Sequence, residues 1–336
     1  MNSALPLVTS TFVPSTAFTS RTSTLSALSL GPFGAVLSPG QEYGGLYPAP
    51  FGTHPTPSSI SYTPTAANAV PSPQQTDIPA TADAAEDALV AFHLSRLHHL
   101  SLSPAFSRLS LLAFETIPVV REARAIRRAV ALVRDAQPDQ PRKPFYLAFV
   151  FPVDPDGRAR CPDADLQDLP TGSDSLSDAI VDAAFGARAG EATPDGIGIN
   201  CTNPLRILPV IDQLANALSR APAGPSPPWL VLCTSPFPAR GTPLIRSRVA
   251  FLYTDPDGGA VYDVVSRTWS NPDGLNDAEW GSTVADGVEA ALARRRADGS
   301  PTFAGVLAGG CCKAGPGAIS ALRSECSRRK LLSGSC

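Results

Sequence analysis

The chain has 336 residues, of which 43% are hydrophobic and 17% are charged, so it is long enough for one large α/β domain with a full core or two small ones. The formal net charge of -3 gives no electrostatic reason to expect nucleic-acid binding, and no apolar run reaches the roughly 18 to 20 residues of a membrane span. The seven cysteines are odd in number and unevenly spaced, which favours a reducing compartment where some thiols bind metal or do chemistry.

The N-terminal part of the chain is rich in serine, threonine and proline. Residues 5–12 are predicted to form a strand, residues 28–36 a second strand that turns at Gly31, and residues 38–80 a long irregular loop. The first 41 residues contain no acid and a single base, Arg21, a composition similar to an organelle transit peptide. We expect the protein in the cytoplasm, with organelle import as the alternative.

Helices and apolar strands alternate from residue 81 to the C-terminus. The first helix is predicted to begin with Thr81 or Asp83 as its cap, and its histidines, His93, His98 and His99, are interpreted as surface or packing residues. Further strands are predicted at 109–118, 145–151, 196–201, 229–232 and 303–310, and further helices at 122–133, 176–187, 205–218, 277–296 and 319–328. Strands that are apolar throughout indicate a parallel sheet covered on both faces.

Three cysteines stand at the ends of two predicted strands. Cys311 and Cys312 follow Gly309 and Gly310, and adjacent strand residues serve one site only where the backbone turns, which glycine permits. Cys201 ends another strand. Three thiolates leave a tetrahedral zinc one position short, as expected when the metal accepts a substrate. The alternative is that all three cysteines are ordinary buried small residues.

Four segments of the chain carry a resemblance to one family. Gly196–Pro204 (GIGINCTNP), Gly309–Cys312 (GGCC) and Ala113–Pro118 (AFETIP) look like the three signature segments of the homocysteine S-methyltransferase family. Ser29–Gly34 (SLGPFG), followed by Gly40–Gly44 (GQEYG), is similar to a fourth. The resemblance spans most of the chain and implies a single homocysteine-binding domain, residues 1–336, of the (β/α)8 TIM-barrel type.

The sequence departs from the family pattern in two places. Seven strands are counted where the barrel needs eight, and no Asp-Gly-Gly segment precedes Leu5, so we expect a barrel that is incomplete at its N-terminus. Residues 233–254 are interpreted as an atypical insertion after the strand at 229–232. Because Cys233 begins that insertion, it is left out of the expected metal site.

The resemblance implies a zinc-dependent methyltransferase of methionine biosynthesis. Its substrates are L-homocysteine and a small activated methyl donor, with S-methylmethionine or S-adenosylmethionine favoured over betaine, and its product is methionine. The implied zinc ligands are Cys201, Cys311 and Cys312, and the implied partner of the substrate ammonium is Glu115. Asn200 is expected to contact substrate, to orient the site or to satisfy the turn that follows its strand.

Two other hypotheses stay open at this point. The first is a catalytically impaired relative, in which a truncated barrel binds zinc without turnover. The second is a redox protein in which Cys311 and Cys312 form a vicinal disulfide, although adjacent cysteines close only a strained ring. No expectation about oligomeric state follows from the sequence.

Overall fold

The computed structural model describes residues 25–53, 55–63, 81, 83–151, 174–221, 227–234, 261–263, 268–270, 275–311 and 314–332. This part of the chain is an α/β fold built on one parallel sheet. Its strands are β1 (Ala27–Leu30), β2 (Leu37–Ser38), β3 (Ser61–Tyr62), β4 (Leu111–Ile117), β5 (Phe145–Phe149), β6 (Gly196–Asn200), β7 (Trp229–Thr234), β8 (Val261–Asp263), β9 (Thr268–Ser270) and β10 (Val306–Gly310). Its α-helices are α1 (Ala84–Ser101), α2 (Val120–Ala136), α3 (Asp174–Phe185), α4 (Ile207–Arg220), α5 (Asp277–Ala293) and α6 (Pro316–Arg328).

The main sheet has six strands in the order β1-β4-β5-β6-β7-β10, and every neighbouring pair is parallel. All six strands therefore end at the same edge, which we call the carboxyl edge. They correspond to six of the seven predicted strands, so the predicted parallel α/β class is confirmed. The predicted strand at residues 5–12 lies outside the described residues.

The two faces of the sheet differ in what covers them. Phe114, Leu147 and Ile197 belong to the large core that the sheet shares with the helices. The opposite side, which we call the inner face, carries a small cluster made of strand residues: Leu111, Ala113, Tyr146, Ala148, Val231 and Leu307. Side chains alternate along a strand, so each strand contributes to both faces.

The segment after β1 is more ordered than its composition suggests. The predicted loop 38–80 contains an antiparallel pair of short strands, β2 with β3, in its described part. Phe33 stacks on Phe51 with ring centroids 3.9 Å apart and meets the edge of Phe92 of α1 at 5.2 Å. Aromatic packing thus fixes the described part of this segment against the helix layer, and the described backbone between β2 and β3 consists of turns and irregular structure.

Strand β7 ends later than the sequence suggests. Cys233 and Thr234 both lie within it, so Cys233 is a strand residue. The remaining residues of the expected insertion, 235–254, lie outside the described residues. The antiparallel pair β8 with β9 was not predicted.

Helix α1 follows its prediction closely. Asp83 is its N-cap and accepts hydrogen bonds from the backbone N–H groups of Ala85 and Glu86. His93 is only 1% exposed, whereas His98 and His99 are exposed, which agrees with their interpretation as packing and surface residues. The described helices include none that is long and apolar enough to cross a membrane.

Candidate functional site

The carboxyl edge brings together four of the five residues expected at the site. Glu115 lies near the end of β4, Asn200 is the last residue of β6, Cys201 follows it, and Cys311 follows β10. Cys312 lies outside the described residues. In a parallel α/β sheet, ligands and catalytic groups gather at this edge.

Cys201 and Cys311 flank the end of β7 from its two sides. The Cys201 N–H donates to the carbonyl oxygen of Cys233 at 3.0 Å, and the Cys311 N–H donates to that of Thr234 at 3.2 Å. Both cysteines, and Cys233 between them, are half-buried. The pairing extends β6 and β10 by one residue each along β7, and it holds the backbone of the two predicted ligands one residue apart along that strand.

The Cys201 sulfur lies among polar groups. The Thr116 hydroxyl donates to Cys201 Sγ at 3.8 Å, and the Asn200 amide Nδ2 donates to it at 3.6 Å. Cys201 has φ 47° and Thr116 has φ 60°, a left-handed conformation that is costly for residues with a side chain. These two donors restrict the orientation of the Cys201 side chain.

Asn200 is 2% exposed and fully engaged with β4. Its Oδ1 accepts from the Thr116 N–H at 2.7 Å, and its Nδ2 donates to the Thr116 hydroxyl at 2.8 Å. These contacts support a role in orienting Thr116 and Cys201, and direct contact with substrate stays a prediction. Sequence reasoning missed Thr116, which follows Glu115 in the AFETIP segment.

Glu115 lies at the carboxyl edge with both carboxylate oxygens held. Ser29 of β1 donates its hydroxyl to Oε2 at 2.7 Å, and Tyr146 of β5 donates its hydroxyl to Oε1 at 2.8 Å. Burial raises the pKa of Tyr146, and the charge of Glu115 raises it further, so the phenol stays a neutral donor. A carboxylate has about four acceptor sites, so the partly exposed Glu115 keeps acceptor capacity for a ligand.

A second carboxylate, Glu122 in the first turn of α2, is fully buried. It accepts from the Phe33 N–H at 2.6 Å, the Tyr47 hydroxyl at 2.5 Å and His93 Nε2 at 2.8 Å. Burial lowers the pKa of His93, although the Glu122 carboxylate opposes that shift. The group ties the segment after β1 to α1 and α2, and sequence reasoning did not find it.

The donor chemistry at the carboxyl edge fits zinc. Among the described residues no three histidine, cysteine, aspartate or glutamate side chains lie close enough to hold a metal ion. Cys201 and Cys311 supply two sulfurs, however, and thiolates are ligands that zinc prefers. The third expected sulfur belongs to Cys312, the residue after Cys311 in the sequence.

Comparison with known proteins points to one family. A family model described as homocysteine S-methyltransferase matches residues 14–326. No curated protein sequence matches the chain. Among solved structures, the chain is similar to the metallated form of the homocysteine methyltransferase MmuM from Escherichia coli, with 19% identity and a TM-score of 0.41. That match covers 89% of this chain and 60% of the other, so the chain spans under two thirds of the matched protein's length.

Proposed function

This chain belongs to the homocysteine S-methyltransferase family, and on that premise we propose that it transfers a methyl group from a small activated donor to the thiol of L-homocysteine. The product is methionine. The observation that carries the proposal is the convergence of Glu115, Cys201 and Cys311 on the carboxyl edge of one parallel sheet. We propose that the six described strands are part of a barrel of the (β/α)8 type.

We propose zinc as the cofactor, with Cys201, Cys311 and Cys312 as its ligands. Zinc, when bound, supplies the positive charge that keeps a substrate thiol deprotonated at neutral pH. The polar donors Thr116 and Asn200 hold the Cys201 sulfur in place for this role. The cytoplasm, where thiols stay reduced, is the proposed compartment.

Glu115 is proposed to bind the ammonium group of homocysteine and so to orient the substrate. The substrate sulfur then forms a bond to the donor's methyl carbon while the donor's own bond to that carbon breaks. The leaving atom keeps the electron pair and loses its positive charge. S-Methylmethionine and S-adenosylmethionine are the favoured donors, since both carry the methyl group on a sulfonium sulfur.

Metal analysis combined with a methionine assay tests the proposal. The purified chain is expected to bind about one zinc per molecule and to form methionine from homocysteine with a sulfonium donor. Alanine at position 201, 311 or 312 is expected to abolish both zinc binding and turnover, because each change removes one of the three sulfurs. Zinc content is measured by atomic emission and methionine by mass spectrometry.

Cys326→Ala is the matched control, because Cys326 is buried in α6. This variant is expected to keep its zinc. A wild-type protein without zinc, or an active Cys312→Ala variant, contradicts the proposal. Zinc binding without methionine from any of the three donors, betaine included, supports the non-catalytic alternative.

A further inference from the structure

The Glu115 carboxylate is held from both sides by hydroxyl groups of neighbouring strands. Strand β4 lies between β1 and β5, and Ala113 is paired in register with Ser29 on one side and Tyr146 on the other. Glu115 is two residues further along β4, on the same face as Ala113. The two hydroxyls therefore reach the carboxylate from positions that are paired with β4 two residues before Glu115.

Each hydroxyl binds a different oxygen of the carboxylate, Ser29 at 2.7 Å and Tyr146 at 2.8 Å. Two donors at separate oxygens fix both the position and the plane of the group, whereas one donor leaves it able to rotate. A binding group that is already ordered loses less conformational entropy when the ligand arrives. Tyr146 is buried and braced by the inner-face cluster, so its hydroxyl is itself well placed.

The Glu115 carboxylate has no counterion among the residues that the structure describes. No lysine, arginine or histidine of the described residues pairs with it, although other buried carboxylates have such partners. Glu122 pairs with His93, and Asp87 with Arg128. A carboxylate that is oriented, partly exposed and short of a cation is complementary to a cationic ligand.

We infer that Ser29 and Tyr146 are positioning residues that aim Glu115 at an ammonium group, and that this three-residue unit makes the site select α-amino thiols over simple thiols. The inference rests on the proposed function, since it assigns specificity within that site. The unit joins β1, β4 and β5, and it is separate from the contacts that hold Cys201.

Tyr146→Phe and Ser29→Ala test the inference, because each removes one hydroxyl and little else. The ligands are homocysteine and its deamino analogue γ-mercaptobutyrate, which keeps the thiol and the carboxylate. In the zinc-loaded protein, each change is expected to raise KM for homocysteine about tenfold with kcat within about twofold of wild type. Affinity for γ-mercaptobutyrate, measured by titration calorimetry, is expected to stay unchanged, and so is zinc content.

Two controls separate positioning from general stability. Ser29→Thr keeps a hydroxyl and is expected to retain the preference for homocysteine. Tyr47→Phe removes the equivalent hydroxyl from Glu122, and it is expected to lower stability while leaving the preference unchanged.

Equal weakening of homocysteine and γ-mercaptobutyrate in Tyr146→Phe would overturn the inference, and so would unchanged homocysteine affinity. Either result leaves the proposed function standing if the wild-type protein still makes methionine. A wild-type protein that binds neither thiol removes the proposed function, and the inference falls with it.

Discussion

Glu115 and Glu122 lie on either side of the turn between β4 and α2, and they differ in their partners and in their exposure. Both accept a hydroxyl hydrogen bond from a tyrosine, Tyr146 at 2.8 Å and Tyr47 at 2.5 Å. Glu122 accepts two further bonds, from a backbone N–H and from His93, and is 0% exposed. Glu115 accepts one further bond, from a serine, and stays partly open.

The difference shows that the residue type alone does not identify a binding carboxylate. Glu122 accepts three hydrogen bonds from groups of the protein and is closed to solvent, and its bonds hold the segment after β1 on the helix layer. Glu115 is oriented by two neutral donors on the inner face and has no cation beside it among the described residues. The number of protein partners and the access to solvent distinguish a structural carboxylate from one that can take a ligand.

The largest expected effect is on folding stability, and it comes from the buried Glu122. Glu122→Ala leaves three buried hydrogen-bond donors without their acceptor, so we expect the free energy of unfolding to fall by about 3 to 5 kcal/mol. Urea denaturation followed by circular dichroism measures it. Glu289→Ala, at an exposed helix carboxylate, is the control and is expected to cost less than about 1 kcal/mol. Comparable losses in the two variants would contradict the structural role of Glu122.

The next largest expected effect is on substrate binding, and it comes from the partly exposed Glu115. Glu115→Gln keeps the shape of the side chain and removes its charge, so we expect kcat/KM for homocysteine to fall about 100-fold, or about 2.7 kcal/mol. Initial rates at varied homocysteine concentration measure this change. Stability should stay within about 1 kcal/mol of wild type, because Glu115 is partly exposed. An unchanged KM would show that Glu115 does not hold the ammonium.

The smallest expected effect is on the pH dependence of stability, and it comes from His93, the buried partner of Glu122. Because the pKa of His93 is lowered in the folded protein, His93 contributes stability above its unfolded pKa of about 6.5, and that stability is lost as pH falls toward the lowered value. The neighbouring charges are Glu122, which opposes the shift, and Arg96, which adds to it. We expect up to about 1.4 kcal/mol lost per pH unit within that window.

Urea midpoints at pH 7.5 and pH 5.5 measure this dependence. His93→Gln is expected to lose less stability between the two pH values than the wild type does. His98→Gln is the control, since His98 is exposed on the same helix, and it should behave as wild type. A His93→Gln variant with the wild-type pH dependence would rule out His93 as the titrating group.

The sequence predicted the sheet because its strands are continuous apolar runs bounded by clear breaks. The run ending at Pro118 located β4 and placed Glu115 at its carboxyl end, and the run ending at Gly310 did the same for Cys311. The end of β7 was set too early because the departure from the family pattern was taken to begin at Cys233, directly after the apolar run.

The partners of the site residues were beyond sequence reasoning. Ser29, Glu115 and Tyr146 meet only because β1, β4 and β5 pair in a particular register, and a shift of one residue would turn each side chain to the other face. The Thr116 contacts depend in addition on a left-handed backbone conformation, which a threonine in the sequence does not indicate. Tyr47 was missed because the prolines and glycines around it are typical of a loop.

Gly198, in the middle of β6, affects the position of the residues at the carboxyl edge. A methyl group there would stand 2.8 Å from the Val231 Cβ and 2.9 Å from the Ala148 Cβ, so β6 fits between its neighbours only without a side chain at this point. Enlarging residue 198 would push the strand away from β5 and β7, and the sulfur at its tip would move with it. Val231 and Ala148 thereby help to set the position of Cys201.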